Sequence, residues 1–471
     1  MTAEEAALKW NVSKRRVQVL CSEGRINAAV KHGNTWCIPK SATKPCAKKP
    51  GIKQKKDLRV LSLFSGCGGM DLGLEGGFNV LKKSVNTNLH SNWNIKQIDD
   101  KWVKLPETRF TTVFANDIRQ DAKTLWVEYF GKKGVPAATY CLDSIVDLVK
   151  LHRDNGINIF PDDIDIVTGG FPCQDFSIAG KRQGFDSTKS HLGTERGENI
   201  PSVESRGQLY IWMRDVISIV QPKMFIAENV KGLANLSDVK EIIEKDFSNI
   251  CNGGYIVVPA KVLHTANYGV PQNRERIIFY GFKKSALTPK AIKELTAKQI
   301  SKEYDPYPQI THKYTQDAMG ENLYEFVTSY DCLNDLPEPE ESTDLSQIKY
   351  SKAKYMGKHC QGQSEIDLYG IAPTIRSEHH GNIEYRRLSL EHGGKYANEL
   401  QQGRLERRLS VRECARIQTF PDDYEFILQA NEVRKSVSSS EAYKVIGNAV
   451  PPLFAYNIAM RLQENWDKYF I

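Results

Sequence analysis

No two of the ten cysteines form a C-x-x-C pair; they stand apart at positions 21, 37, 46, 67, 141, 173, 251, 332, 360 and 414. A disulfide scaffold and a zinc cluster are both poor readings of that spacing, and reduced thiols inside a cell are the better one. Long apolar runs are missing as well, since no uninterrupted stretch approaches the roughly 18 residues of a membrane span. The opening Met-Thr-Ala-Glu-Glu-Ala lacks the charged-then-apolar pattern of an export leader, so a cytoplasmic protein is expected. Acid is scarce in one place only. Residues 1–57 hold 13 basic and 4 acidic side chains, a net +9, whereas the remainder holds 51 and 53, a net −2. That asymmetry points to an anionic partner for the first segment. What is plentiful is core material: 40% hydrophobic and 10% aromatic residues in a chain of 471 exclude disorder as the main state and predict two or three domains.

Residues 3–10 (AEEAALKW) carry a helical spacing at Ala6, Ala7 and Trp10. Ser13 is placed as the N-cap of a second helix, Lys14 to Cys21, with Val17, Leu20 and Cys21 inward and Gly24 just beyond its end. Lys14, Arg15 and Arg16 occupy the first turn of that helix, where the macrodipole disfavours cations, so a phosphate or base edge would offset their placement. Arg25 to Pro39 then alternates like a hairpin around His32-Gly33-Asn34. The whole resembles excisionase-type and MerR-type winged helix-turn-helix domains. The resemblance implies DNA binding by residues 1–40 through Lys14, Arg15 and Arg16, with dimeric action. A small helical cap with a solvated basic face is the plain alternative. Residues 41–57, rich in Pro, Gly and Lys, read as a flexible basic linker.

Leu58 to Leu63 (LRVLSL) is a β-rich run entering the turn Phe64-Ser-Gly-Cys-Gly-Gly. A strand, a glycine-rich turn and a helix let backbone approach a ligand closely, although a tight turn with no ligand would look the same. A second strand, Thr112 to Ala115, ends at Asn116-Asp117, where a carboxylate meets a ribose diol in such folds. An insertion is expected between Gly77 and Arg109, with Trp93 and Trp102 to pack or to bind. A strand from Asp165 runs straight into Pro172-Cys173, and another, Lys223 to Ala227, leads into Glu228-Asn229-Val230. Cysteine and carboxylate thereby share the functional edge of an α/β sheet.

Six motifs now stand in order: Phe64 to Gly69 (FSGCGG), Gly170 to Gln174 (GFPCQ), Glu228 to Val230 (ENV), Gln272 to Arg276 (QNRER), Arg408 to Phe420 (RLSVRECARIQTF) and Gly447 to Pro452 (GNAVPP). Together they resemble the C5-cytosine DNA methyltransferases of bacterial restriction–modification systems. The resemblance implies an α/β, Rossmann-like S-adenosylmethionine-dependent core at 58–282, closed by a return at 404–471. Between them it implies a mostly β and loop target-recognition domain at 283–403. It makes Cys173 the nucleophile that adds to C6 of a flipped cytosine, Glu228 the acid at N3, and Arg276 a contact to O2. Arg274 would orient the nucleophile loop or a phosphate, and an ion-pair cluster with Glu275 is an equal alternative for it.

For S-adenosylmethionine the resemblance implies Phe64, the turn Gly66, Cys67, Gly68 and Gly69, then Asp117 for the ribose, Asp143 (rather than Asp147) for the adenine amino group and Asn448. Lys181 and Arg182 would meet phosphates, while Thr374, Arg376 and Asn382 of the recognition patch (APTIR, then HHGN) would meet bases. Further grip is expected from Arg386-Arg387 and Arg404 to Arg408. The implied partners are duplex DNA and, with no stable complex, a cognate restriction endonuclease; a monomer suffices for catalysis. An RNA-directed relative and a catalytically dead DNA-binding regulator are the alternatives, the latter opposed by intact Cys173, Glu228 and Arg276.

Overall fold

Along Leu58–Leu63, Leu58 and Val60 fall on one side and Leu61 and Leu63 on the other, and all four are buried. Strands covered on both faces carry this nearly continuous apolar composition. In the computed structural model this run is β1, an inner strand of a seven-stranded sheet. The others are β2 (Phe110–Asn116), β3 (Tyr140–Cys141), β4 (Ile166–Gly170), β5 (Met224–Val230), β6 (Tyr255–His264) and β7 (Glu275–Lys283). Their order is β6-β7-β5-β4-β1-β2-β3, with β7 antiparallel to both its neighbours and the remaining pairs parallel. The structure describes residues 57–172, 209–236, 238–377, 381–432 and 434–471, and in the N-terminal segment 1–10, 14, 17, 18, 21, 26, 29–32, 35–39 and 42.

Helices α1 (Gly69–Glu75), α2 (Gln120–Lys132) and α8 (Pro452–Tyr469) cover one face of the sheet. The other face is covered by α3 (Ile145–Asn155), α4 (Leu209–Val220) and α5 (Val239–Ser248). Two further helices, α6 (Val411–Ile417) and α7 (Ser439–Asn448), each start on a serine capping box, in which side chains satisfy helix N–H groups that have no intrahelical partner. A Cβ on Gly73 of α1 would lie 2.4 Å from the carbonyl oxygen of Pro452, so a glycine there lets α8 lie directly on the first helix.

The insertion after Gly77 packs. Its strands Asn79–Leu81, Lys96–Gln97 and Trp102–Lys104 form a small sheet. Trp93 meets Tyr456 of α8 edge-on at 5.1 Å, and the Arg416 guanidinium lies 4.9 Å from the Trp102 ring.

Of the β and loop composition expected for residues 283–403, the loops are present but the strands are few. Among the described residues, short helices (Pro289–Leu295, Ser329–Leu333, Leu345–Ile348, Ala397–Gln401) and loops dominate, with strands of two or three residues. Side chains replace ladders here: Arg408 alone donates to the carbonyls of Ala353, Lys354, Gly362 and Ile383. Leu295, Tyr307, Leu333, Ile366 and Ile383 join the same core as α8, so the region is continuous with the rest of the unit Asp57–Ile471.

Met1–Lys56 is a second unit. It contains the helix Ala3–Trp10 and an antiparallel pair, Val30–His32 with Thr35–Cys37. Ala6, Ala7, Trp10, Val17, Cys21, Ile26 and Ile38 are buried together. Lys14 is exposed and ion-paired with Glu4. Arg15 and Arg16 lie outside the described residues.

Candidate active site

Strand register brings the predicted residues to one edge. Across the sheet, Cys141 pairs with Asn116, Asn116 with Leu63, Leu63 with Gly169, and Gly169 with Ala227. The next residues in line are therefore Asp117, Phe64, Gly170 and Glu228, at the carboxyl ends of parallel strands, where α/β sheets hold their ligands. The same edge carries Pro172, the last described residue before Cys173, which lies with Lys181 and Arg182 outside the described residues.

Glu228 sits within β5, opposite Gly170, and its Oε1 is 2.6 Å from Nε of Arg276. They are 7% and 9% exposed, a nearly desolvated pair. Gly170 makes room for it: a Cβ there would stand 2.8 Å from Glu228 Oε2. Asn229, buried, donates from Nδ2 to the Phe171 carbonyl at 3.2 Å and so fixes the backbone two residues before Cys173. Carboxylate, guanidinium and the approach to the thiol are held against one another.

At the other end of the row lies the glycine turn. Phe64 and Gly66 have positive φ (53° and 54°), and a Cβ on Gly66 would meet nothing within 4 Å. The turn thus leaves room above its backbone for close approach of a ligand. The Gly66 N–H donates to Asp117 Oδ2 at 3.0 Å, the Tyr140 hydroxyl to the Gly66 carbonyl at 2.9 Å, and the Tyr424 hydroxyl to the Cys67 carbonyl at 2.6 Å. Burial pushes the Asp117 carboxyl above the usual range, against the hydrogen bonds from Arg119 and Gly66. Asn116 Nδ2 donates to the carbonyls of Cys141 and Asp143, which sets exposed Asp143 beside Asp117.

Gly68, left-handed at φ 79°, lies on Trp126, and Gly69 lies on the Val450 carbonyl. Exposed Asn448 ends α7 two residues before Val450. An open cradle, two carboxylates and an exposed amide suit S-adenosylmethionine, which would be held by this turn, Asp117, Asp143 and Asn448. Within the turn the Cys67 thiol points into the core, 3.6 Å from the Val445 carbonyl, and burial pushes it far up, so Cys67 can face the cradle only through its backbone.

The remaining motifs meet through hydrogen bonds that sequence spacing did not reveal. Gln272 Nε2 donates to Gln418 Oε1 at 2.9 Å, its Oε1 accepts from Ile375 N at 3.0 Å, and Gln418 Nε2 donates to the Ile446 carbonyl at 2.6 Å. Arg274, 1% exposed, donates to the carbonyls of Ile375, Gly447 and Ala449. Its guanidinium is a clamp between chain segments, which corrects the expectation of phosphate binding. Thr374 donates to the Asn273 carbonyl. Arg376, expected on a base, is held at Glu384 (2.9 Å) and at the Asn382 carbonyl (3.0 Å), so Arg376 and Asn382 are neighbours tied internally.

Arg386-Arg387 and Arg407-Arg408 are likewise not a DNA grip, whereas Arg404 is exposed, 3.7 Å from Glu338. Arg387, fully buried, pairs with Glu338 at 2.8 Å, Arg386 with Glu399 at 3.2 Å, and Arg407 with Glu338 and Glu413 at 2.8 Å. Burial pushes Glu338 up, but hydrogen bonds from Arg407 and Arg387 outweigh it and hold the carboxyl down to about 2. Alternation of charge with bulk in the sequence could not distinguish a buried ion-pair net from a phosphate clamp.

The sequence profile described as C-5 cytosine-specific DNA methylase matches residues 58–464. The type II methyltransferase M.BspRI of Lysinibacillus sphaericus is 32% identical over 421 residues, covering 88% of this chain and 83% of its own. M.BsuRI of Bacillus subtilis is 30% identical over 434 residues, covering 88% and 82%. Among solved structures, the S. pombe Dnmt2 methyltransferase shares the fold with a TM-score of 0.50 at 17% identity, over 86% of this chain and 98% of that one. A profile spanning the whole row of edge residues, from the glycine turn to α8, places this chain in the C-5 cytosine-specific DNA methylase family, as a DNA (cytosine-5)-methyltransferase with S-adenosylmethionine as its methyl donor.

Proposed function

We propose that this enzyme methylates one cytosine of a specific duplex sequence, flipped out of the stack, as the modification half of a type II system. The observation that carries the reading is the Glu228–Arg276 pair held beside the strand that leads to Pro172-Cys173. C5 of cytosine is a poor nucleophile and lies inside a stacked duplex, so the base must be flipped and activated. The Cys173 thiolate adds at C6, because a soft nucleophile can add and later leave. Glu228 delivers a proton to N3 as electrons move onto the ring, and Arg276 holds O2, which together turn C5 into an enamine-like carbon. S-adenosylmethionine supplies the electrophilic methyl that C5 takes up. A base then removes the C5 proton, the electron pair re-forms the C5–C6 double bond as the C6–S bond breaks and the Cys173 thiolate departs, and the N3 proton returns to Glu228.

Phe64, the Gly66–Gly69 backbone, Asp117, Asp143 and Asn448 hold the cofactor; Lys181 and Arg182 meet phosphates; Thr374 and Asn382 face the duplex. Residues 1–40 form a separate winged helix-turn-helix that binds its own DNA site as a dimer through Lys14, Arg15 and Arg16. The relatives named as type II methyltransferases support a cytoplasmic enzyme with a cognate endonuclease in the same system. Transfer of labelled methyl from S-adenosylmethionine to genomic duplex DNA, followed by bisulfite sequencing, tests the reading. Full turnover by Cys173→Ser, or label entering tRNA instead of DNA, would sink it.

A further inference from the structure

Residues 58–471 carry a net −2, yet their substrate is a polyanion. Their conspicuous arginines are occupied: Arg386, Arg387, Arg407, Arg412 and Arg416 in ion pairs, Arg408 on carbonyls. One stretch departs from this pattern. From Leu345 to Ser364 there is no Asp or Glu, while Lys349, Lys352, Lys354 and Lys358 recur through it. All four are exposed, and among the described residues no carboxylate pairs with any of them.

The stretch is nonetheless held in place. The buried Arg408 donates to the carbonyls of Ala353 (2.9 Å), Lys354 (3.1 Å) and Gly362 (2.5 Å) and to Gln363 Oε1 (3.2 Å), and its guanidinium lies over the Tyr385 ring at 4.1 Å. Ser351 Oγ donates to the Gly381 carbonyl at 2.7 Å, and Arg376 Nη1 to Gln361 Oε1 at 2.6 Å. The strap therefore runs beside residues 372–382. That segment in turn touches the Gly447 backbone: a Cβ on Gly447 would lie 2.1 Å from the Arg376 carbonyl carbon, one residue from Asn448. Buried guanidinium inside, exposed ammonium groups outside that have no carboxylate partner among the described residues, Lys352 lying over the Tyr350 ring at 3.4 Å, and a path to the catalytic edge are the arrangement of a surface that meets phosphates.

We propose that Lys349, Lys352, Lys354 and Lys358 form a phosphate-binding strap that grips duplex DNA alongside the recognition segment. The proposal rests on the DNA methyltransferase reading for its partner, but its test does not require turnover. Binding of the full chain to a duplex of arbitrary sequence is measured across roughly 50 to 200 mM salt, where non-specific affinity is set by counterion release. With all four lysines changed to Gln, the log–log salt slope becomes shallower by about 3.6, at about 0.9 per phosphate contact. Lys352→Gln and Lys354→Gln singly each remove about 0.9, and the fourfold Lys→Arg variant keeps the parent slope. The KM for DNA of the fourfold Gln variant rises about tenfold or more at the upper end of that salt range, while its affinity for S-adenosylhomocysteine is kept.

A slope and KM equal to the parent's would mean that the four lysines are ordinary solvated side chains, and the proposal fails. Should the single variants leave the slope where it was, it fails even if the fourfold variant is poorly folded. Absence of methyl transfer by the parent chain would instead remove the activity reading, leaving the slope comparison to judge the strap.

Discussion

At the scale of single residues, the catalytic edge is governed by what small side chains leave open. Gly170 gives Glu228 its room, so Gly170→Ala pushes a methyl group to 2.8 Å from Oε2 and displaces the carboxylate. We expect a fall of about 100-fold in the single-turnover rate, with cofactor affinity retained; a rate within twofold of the parent would show that Glu228 is not so confined. Asp71, behind the glycine turn, accepts from Ser62 Oγ at 2.5 Å and Trp126 Nε1 at 2.8 Å, and burial pushes its carboxyl up to about 7 from an ordinary 3.8. A raised folded value means that its stabilising contribution is complete below the ordinary value and lost as pH rises through about 7. Thermal unfolding scanned from pH 4 to 8 should therefore show a decline that Asp71→Asn flattens. Glu228 and Arg276 were legible as residues of the sheet edge because each stands in a short motif. Asp71 and Asn116 were not, because their significance comes from partners brought close by the fold.

At the scale of elements, the glutamine relay joins four motifs that the sequence presents separately. Gln272 precedes β7, Gln418 follows α6, and their amides reach Ile375 and the end of α7. Gln418→Leu takes the 2.9 Å bond from the Gln272 amide, leaving it only the Ile417 carbonyl at 3.4 Å, and the 2.6 Å bond from the Ile446 carbonyl, which keeps Ala449 N–H, at a cost of about 1 kcal/mol. Denaturant titration checks this, and a midpoint within experimental error of the parent's would mean that water or rotation of Gln272 substitutes. Four of the seven sheet strands, β1, β2, β4 and β5, were readable from apolar runs ending in glycine or a carboxylate, whereas β3, β6 and β7 were not read. Element type in residues 283–403 was not, since arginine-to-carbonyl bonds such as those of Arg408 stabilise loops there without any period in the sequence.

At the scale of the whole molecule, the two units Met1–Lys56 and Asp57–Ile471 carry opposite net charge biases. Deleting residues 1–50 is expected to leave methyl transfer to short duplexes within about twofold, because each unit buries its own core. Loss of transfer on deletion would show that the segment belongs to the catalytic machinery. By itself the sequence determined the family chemistry, the ordered motifs and the charge asymmetry, because covalent spacing and composition are properties of the chain. Only the tertiary structure decided which cations are free. Arg387, Arg407 and Arg408 read as DNA ligands in one dimension and are buried clamps in three, whereas four plain lysines near residue 350 stand exposed with no carboxylate partner among the described residues. The physical reason is desolvation: a charge's role depends on whether the fold surrounds it with carboxylates and carbonyls or leaves it to water, and that is set by contacts between residues far apart in the chain.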